Sequence, residues 1–198
     1  MKIKICGLFR SDDIDYVNEA KPDYAGFVFA QSKRQVNFDQ AKQLKAKLDK
    51  QIKAVGVFVD SPIADIVNLV NQEVIEVVQL HGSEDNIYLQ QLKQFIDVPI
   101  IKAIKVDHAS DLDDLNYDVD YYLLDNKISG SGESFDWSLI KQLDKPFFLA
   151  GGIDLTNLND ALKIKCFSLD VSSGVETKGI KDRNKINEIV RRVRNGDR

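Results

Sequence analysis

Apolar residues fall into eight short runs separated by stretches of mixed polarity. The runs cover residues 3–6, 24–29, 54–59, 76–80, 99–103, 121–124, 147–150 and 167–171, and are rich in Ile, Val, Phe and Tyr. Several lack the alternation of a half-exposed strand, which predicts strands covered on both faces of a parallel sheet. Between the runs the apolar period changes. Ile63, Ile66, Val67 and Val70 recur at helical spacing, as do Ile186, Ile189, Val190 and Val193. Phe38, Ala41, Leu44 and Leu48 stripe a further helix, and Leu89, Leu92 and Ile96 another. Ser61 reads as an N-cap with Pro62 as first helical residue, and Ser83 as the N-cap of the following helix, with acids in its first turn. Briefer helices are expected at 107–115, 137–143 and 157–162. Eight strand–helix units in 198 residues come to about 25 residues each, which fits a single-domain (β/α)8 TIM barrel of the α/β class over residues 1–198. A doubly wound sheet more often has fewer strands and a Gly-rich first turn; here only Gly7 is early, and no GxGxxG occurs.

In such a barrel the chemistry sits where the strands end. The ends carry Cys6, Arg34, His81, Asp125, Gly151, Gly152 and Asp170. Each has a plain structural alternative. Cys6 is a nucleophile or general base, or a small buried apolar residue. Asp125 follows an apolar run and is a usable acid, or a helix cap or lysine partner. Arg34 offers a planar fork for a carboxylate, or is a solvated loop charge. His81 by default hydrogen-bonds a loop. Gly151 and Gly152 after the seventh run, with Ser173 and Gly174 after the eighth, form the two loops that in many barrels present backbone N–H groups to a phosphate. Gly130 and Gly132 lie in residues 127–134, a lid or a turn. Cys166 begins the eighth run and belongs to packing.

Composition narrows the function classes. With 43% hydrophobic residues the chain is not disordered, and a net charge of -4 with pI near 5.3 gives no pull toward nucleic acid or anionic lipid. No apolar run reaches the roughly 18 to 20 residues that cross a bilayer, and residues 1–6 lack a signal-peptide core, so a cytoplasmic protein is expected. Two cysteines build no disulfide framework. The two histidines, His81 and His108, are not at ligand spacing, so no zinc site is expected.

The ordered motifs Lys4-Ile5-Cys6-Gly7-Leu8, Gly26-Phe27-Val28-Phe29, Ser32 to Val36, Val55-Gly56-Val57-Phe58 and Gln79-Leu80-His81-Gly82 resemble those of phosphoribosylanthranilate isomerases. So do Leu124-Asp125-Asn126, Gly130 to Trp137, Leu149 to Ile153 and Asp170 to Glu176, with Gly179, Lys181 and Asp182, and the resemblance covers nearly the whole chain. It implies a cofactor-free, metal-free Amadori rearrangement of N-(5-phosphoribosyl)anthranilate. In that pattern Asp125 is the acid that protonates the ring oxygen, and Cys6 the base that takes the C2′ proton, with its thiol pKa depressed toward neutrality. Arg34 would meet the anthranilate carboxylate, Asp170 the ribose hydroxyls, and Gly151, Gly152, Ser173 and Gly174 the phosphate. His81 matches a motif without an assigned role. Three loop positions depart from the family: Lys33 and Lys178 stand where proline is usual, and Ser129 where glycine is frequent. The partner expected is a phosphorylated small molecule, the assembly a monomer or homodimer. Alternatives are the histidine-pathway aminoaldose isomerase, which carries aspartate at the Cys6 place, a metal-dependent epimerase, which needs more strand-end histidines, and a non-catalytic phosphate binder, which has no reason to keep both acid and base.

Overall fold

The computed structural model describes residues 1–126 and 134–196. Eight parallel strands close into a barrel in chain order: β1 (Lys2–Cys6), β2 (Tyr24–Val28), β3 (Lys53–Phe58), β4 (Val77–Leu80), β5 (Ile100–Val106), β6 (Tyr121–Asn126), β7 (Phe147–Leu149) and β8 (Ser168–Val171). Closure comes from β1 pairing with β8, with Lys4 opposite Asp170. An antiparallel hairpin, β9 (Glu176–Thr177) and β10 (Ile180–Lys181), follows the barrel. The strands predicted from the apolar runs are all present. Two extend further than expected, because Ile104 to Val106 of β5 continue the ladder against Leu124 to Asn126 of β6. Asp125 is therefore held inside the ladder rather than beyond it.

The helices are α1 (Ser11–Ala20), α2 (Phe38–Lys47), α3 (Ile63–Asn71), α4 (Asn86–Leu92), α5 (Leu158–Ala161) and α6 (Arg183–Asn195). The apolar pattern did not predict α1, whose polar sequence buries only Ile14 and Val17 among its apolar residues. Its start is secured by Asp13, whose Oδ2 accepts from the backbone N–H groups of Phe9 and Arg10 at 3.0 Å. Two expected caps are corrected. Pro62 itself stands at the N-cap of α3, with no side-chain cap, and α4 is capped by Asp85, whose Oδ1 accepts from Tyr88 N at 2.9 Å, not by Ser83. The segments at 107–115 and 137–143 contain only 3₁₀ turns, Ala109–Leu112 and Trp137–Leu139.

The strand pleat divides the core in two. Alternate side chains such as Tyr24, Val55, Val77, Ile101, Leu123 and Phe148 pack inside the barrel, while Ile3, Ile5, Phe27, Val78 and Leu124 join the larger layer beneath the helices. Period two then carries Lys4 and Cys6, Gln79 and His81, Leu123 and Asp125, and Ser168 and Asp170 to the inner side, rising toward the C-terminal mouth.

Candidate active site

Cys6 ends β1 in register with Gly26 of β2 and is 8% exposed. A Cβ on Gly26 would lie 2.7 Å from its sulfur, so that glycine makes the room the thiol occupies. One step deeper, fully buried Lys4 donates from Nζ to both oxygens of Asp170, at 2.9 Å each. Burial works against the Lys4 ammonium, but Asp170 and the Cys6 sulfur outweigh it and hold its pKa above the ordinary value. The expected depression of the Cys6 pKa is corrected: burial pushes the thiol up, and the opposing pull of Lys4 does not overcome it. Asp170 reaches the mouth already bound to Lys4, with a second lone pair left on each oxygen.

Arg34 lies across the same strand end. Its Cδ would be 2.4 Å from a Cβ on Gly7, which stands at φ 79, so glycine alone admits both this backbone and this approach. The guanidinium forks onto Glu176, Nε to Oε1 at 2.6 Å and Nη2 to Oε2 at 2.8 Å. Lys181 donates to Glu176 Oε1 at 2.6 Å and to Ser172 O at 2.9 Å. Burial opposes charge on Glu176, but Arg34 and Lys181 outweigh it and hold its carboxyl below the usual range. The expected carboxylate fork is thus present and already engaged along one edge by an internal carboxylate. Sequence reasoning did not single out Glu176, although it ends a quoted motif.

Gly151 and Gly152 follow β7 at φ 83 and 61, and Ser173–Val175 form a 3₁₀ turn after β8. A Cβ on Gly174 would lie 1.9 Å from Ile153 O, so the two loops touch only because that residue is glycine. Among the described residues, no hydrogen bond occupies the backbone N–H groups of Gly151, Gly152, Ser173 and Gly174. Lys178 stands at φ 54 beside Gly179 at φ 78 in the turn of the β9–β10 hairpin. Proline, fixed near -65°, could not occupy that position, which explains this departure from the family pattern. Lys33 lies on an exposed loop. Ser129 and nearly all of the expected lid at 127–134 lie outside the described residues.

Across the mouth, Asp125 is 8% exposed. Its Oδ1 accepts from Asn126 N at 2.9 Å, and its Oδ2 lies 3.3 Å from His81 Nε2. His81 in turn meets Gln79 Nε2 through Nδ1 at 3.0 Å. The loops carrying this group are braced by a buried pair: Glu84 accepts from Lys102 Nζ at 2.8 Å, from Asp60 N at 2.8 Å and from Gly82 N at 2.9 Å. The candidate residues therefore share one end of the barrel, Cys6 and Asp125 with β7 and β8 between their strands. Cys166 stands apart from this mouth, just before the start of β8, whereas His108 follows the C-terminal end of β5 as an exposed side chain beside Asp107. The arrangement holds a thiol, a carboxyl group, a cationic fork and a cluster of free backbone donors around one opening.

The sequence model of the N-(5′-phosphoribosyl)anthranilate (PRA) isomerase family matches residues 3–192. An N-(5′-phosphoribosyl)anthranilate isomerase of Endomicrobium trichonymphae is 47% identical over 98% of both chains. The crystal structure of the phosphoribosyl anthranilate isomerase of Thermus thermophilus superposes with a TM-score of 0.87 at 30% identity, covering 98% of this chain and 99% of that one. A phosphoribosyl anthranilate isomerase in complex with reduced 1-(o-carboxyphenylamino)-1-deoxyribulose 5-phosphate superposes with a TM-score of 0.81 at 27% identity, again over 98% and 99%.

Proposed function

Because this chain belongs to the phosphoribosylanthranilate isomerase family, we propose that Cys6 and Asp125 are the base and acid of its reaction. It is an isomerase of tryptophan biosynthesis, converting N-(5-phosphoribosyl)anthranilate to 1-(2-carboxyphenylamino)-1-deoxyribulose 5-phosphate. Asp125 gives a proton to the ring oxygen as the C1′–O bond breaks and the nitrogen lone pair forms the C1′=N bond. Cys6, as thiolate, then takes the C2′ proton, leaving the enolamine. The enolamine gains a proton at C1′ and loses one from its 2′ oxygen, so atoms balance, and exchange with solvent resets thiol and carboxyl.

Arg34 takes the anthranilate carboxylate on the part of its fork that Glu176 leaves open, and Asp170 the ribose hydroxyls through its remaining lone pairs. The phosphate lies against the N–H groups of Gly151, Gly152, Ser173 and Gly174, which no other group occupies. The observation that carries the assignment is the placing of Cys6 and Asp125, both 8% exposed, at the same mouth. No helix among the described residues is long and apolar enough to cross a membrane; with two free thiols, this supports a cytoplasmic enzyme. The test is loss of substrate fluorescence on addition of wild type, Cys6→Ala and Asp125→Asn. Turnover in the wild type with about 10³-fold or greater loss in each variant is expected; undiminished turnover in either removes that residue from its role.

A further inference from the structure

Gln79 is 1% exposed, and its amide makes one contact with a consequence for Asp125. Nε2 lies 3.0 Å from His81 Nδ1, while Oε1 is buried without a partner. An amide nitrogen carries only protons, so toward Nδ1 the Gln79 side chain acts as a donor. The orphan left over is a carbonyl oxygen, the less rare kind of unsatisfied buried group. An Nδ1 that accepts a hydrogen bond carries no proton, and a neutral imidazole must then hold it on Nε2. That nitrogen faces Asp125 Oδ2 at 3.3 Å.

We propose that Gln79 fixes His81 as the Nε2–H tautomer, and that His81 acts as a positioning residue, donating to Asp125 and holding the carboxylate that remains once Asp125 has given its proton away. The inference rests on the assignment of Asp125 as the acid. A carboxylate accepts an N–H more strongly than a carboxylic acid does, so the bond gains strength as the ring opens. At 3.3 Å the two groups form a charge contact, and the aligned hydrogen bond forms in that state. Asn126 N secures the other oxygen. Gln79 and His81 are two residues apart at the inner side of β4 and its end, and the Glu84–Lys102 pair fixes the loop that follows.

The chain contains two histidines, which makes the tautomer directly observable by 15N NMR of histidine-labelled protein, His108 being assigned through His108→Gln. The wild type is expected to show a protonated Nε2 and an unprotonated Nδ1 at His81. An Nδ1–H ring overturns the proposal whatever the activity, and needs no variant to fold. In kinetics, the Gln amide nitrogen can stand in for Nε2 and the Asn amide nitrogen only for Nδ1. His81→Gln should therefore keep kcat within about tenfold of wild type while His81→Asn loses about 10²-fold, both with KM little changed. Equal kcat in the two variants, or a loss expressed in KM alone, also overturns it. Full turnover by Asp125→Asn would instead remove the acid assignment while leaving the tautomer result standing, so the two failures are told apart.

Discussion

At Cys6 two effects oppose each other: burial keeps the proton on sulfur, and the Lys4 ammonium favours its loss. Since only the thiolate removes the C2′ proton, kcat/KM should rise with pH through neutrality toward the raised thiol value. Lys4→Met removes the favourable charge and should shift this acid limb to higher pH, lowering kcat/KM at neutral pH about tenfold for each unit of displacement. Asp170 stays unchanged in this variant, because it raises the thiol and its removal would offset the shift. Pulsed iodoacetamide alkylation reads the same shift without turnover; an unmoved profile would show that Lys4 does not govern the thiol. At Arg34, lysine would keep the charge but lose the fork onto Glu176, so Arg34→Lys should raise KM by about 10- to 100-fold and affect kcat less, measured by steady-state kinetics. The main site residues were legible, because strand ends and motif order both point to them. Their partners were not: Asp170 is separated from Lys4 by 166 residues and Glu176 from Arg34 by 142, and only barrel closure brings them together.

Elements were legible in proportion to how much apolar surface they bury. Every barrel strand is packed on both faces and shows it in composition, whereas α1 is anchored by Asp13 and two apolar residues, too little for a periodic signal. The predicted helices after β5 and β6 shrink to 3₁₀ turns because neither keeps a helical apolar stripe long enough to cover its strand. Caps were misplaced by one or two residues at α3 and α4, where the acceptor that matters is chosen by the local turn rather than by residue type. The last helix offers a test of such a cap. Asp182 Oδ1 accepts from Asn184 N at 2.9 Å and Lys185 N at 3.2 Å, starting α6, which packs against α1 and β1. Asp182→Ala should cost about 1 kcal/mol, a fall in Tm of about 2–4 °C in a thermal melt. The hairpin turn predicts the opposite sign. Lys178 and Gly179 both stand at positive φ, so Lys178→Asn, better suited to the left-handed region, should stabilise by a few tenths of a kcal/mol, whereas Lys178→Pro should break the hairpin; both are read by chemical denaturation.

For the molecule as a whole, protons bound differently by folded and unfolded chains bound its stability on both sides. Glu176, held below the ordinary carboxyl range, stays ionised in the folded chain after its unfolded counterpart has taken a proton. Its contribution is complete above that range and lost as pH falls through the folded value. On the alkaline side the sign reverses. Burial pushes Cys166 from 9.0 up to about 11, and Tyr24, Tyr88 and Tyr122 from 10.0 up to about 12. The unfolded chain releases these protons first, so their contribution is complete below the ordinary values and disappears as pH climbs through the folded ones. Tm should accordingly be flat near neutrality and fall steadily above about pH 9, well before general base hydrolysis. Tyr122 isolates the effect, because it is fully buried and its hydroxyl donates to Leu115 O at 3.1 Å. Tyr122→Phe should lower Tm at neutral pH, by the equivalent of about 1 kcal/mol for the stranded carbonyl, yet flatten the alkaline decline. An alkaline decline as steep in the variant as in the wild type would mean that this phenol contributes nothing to the flank.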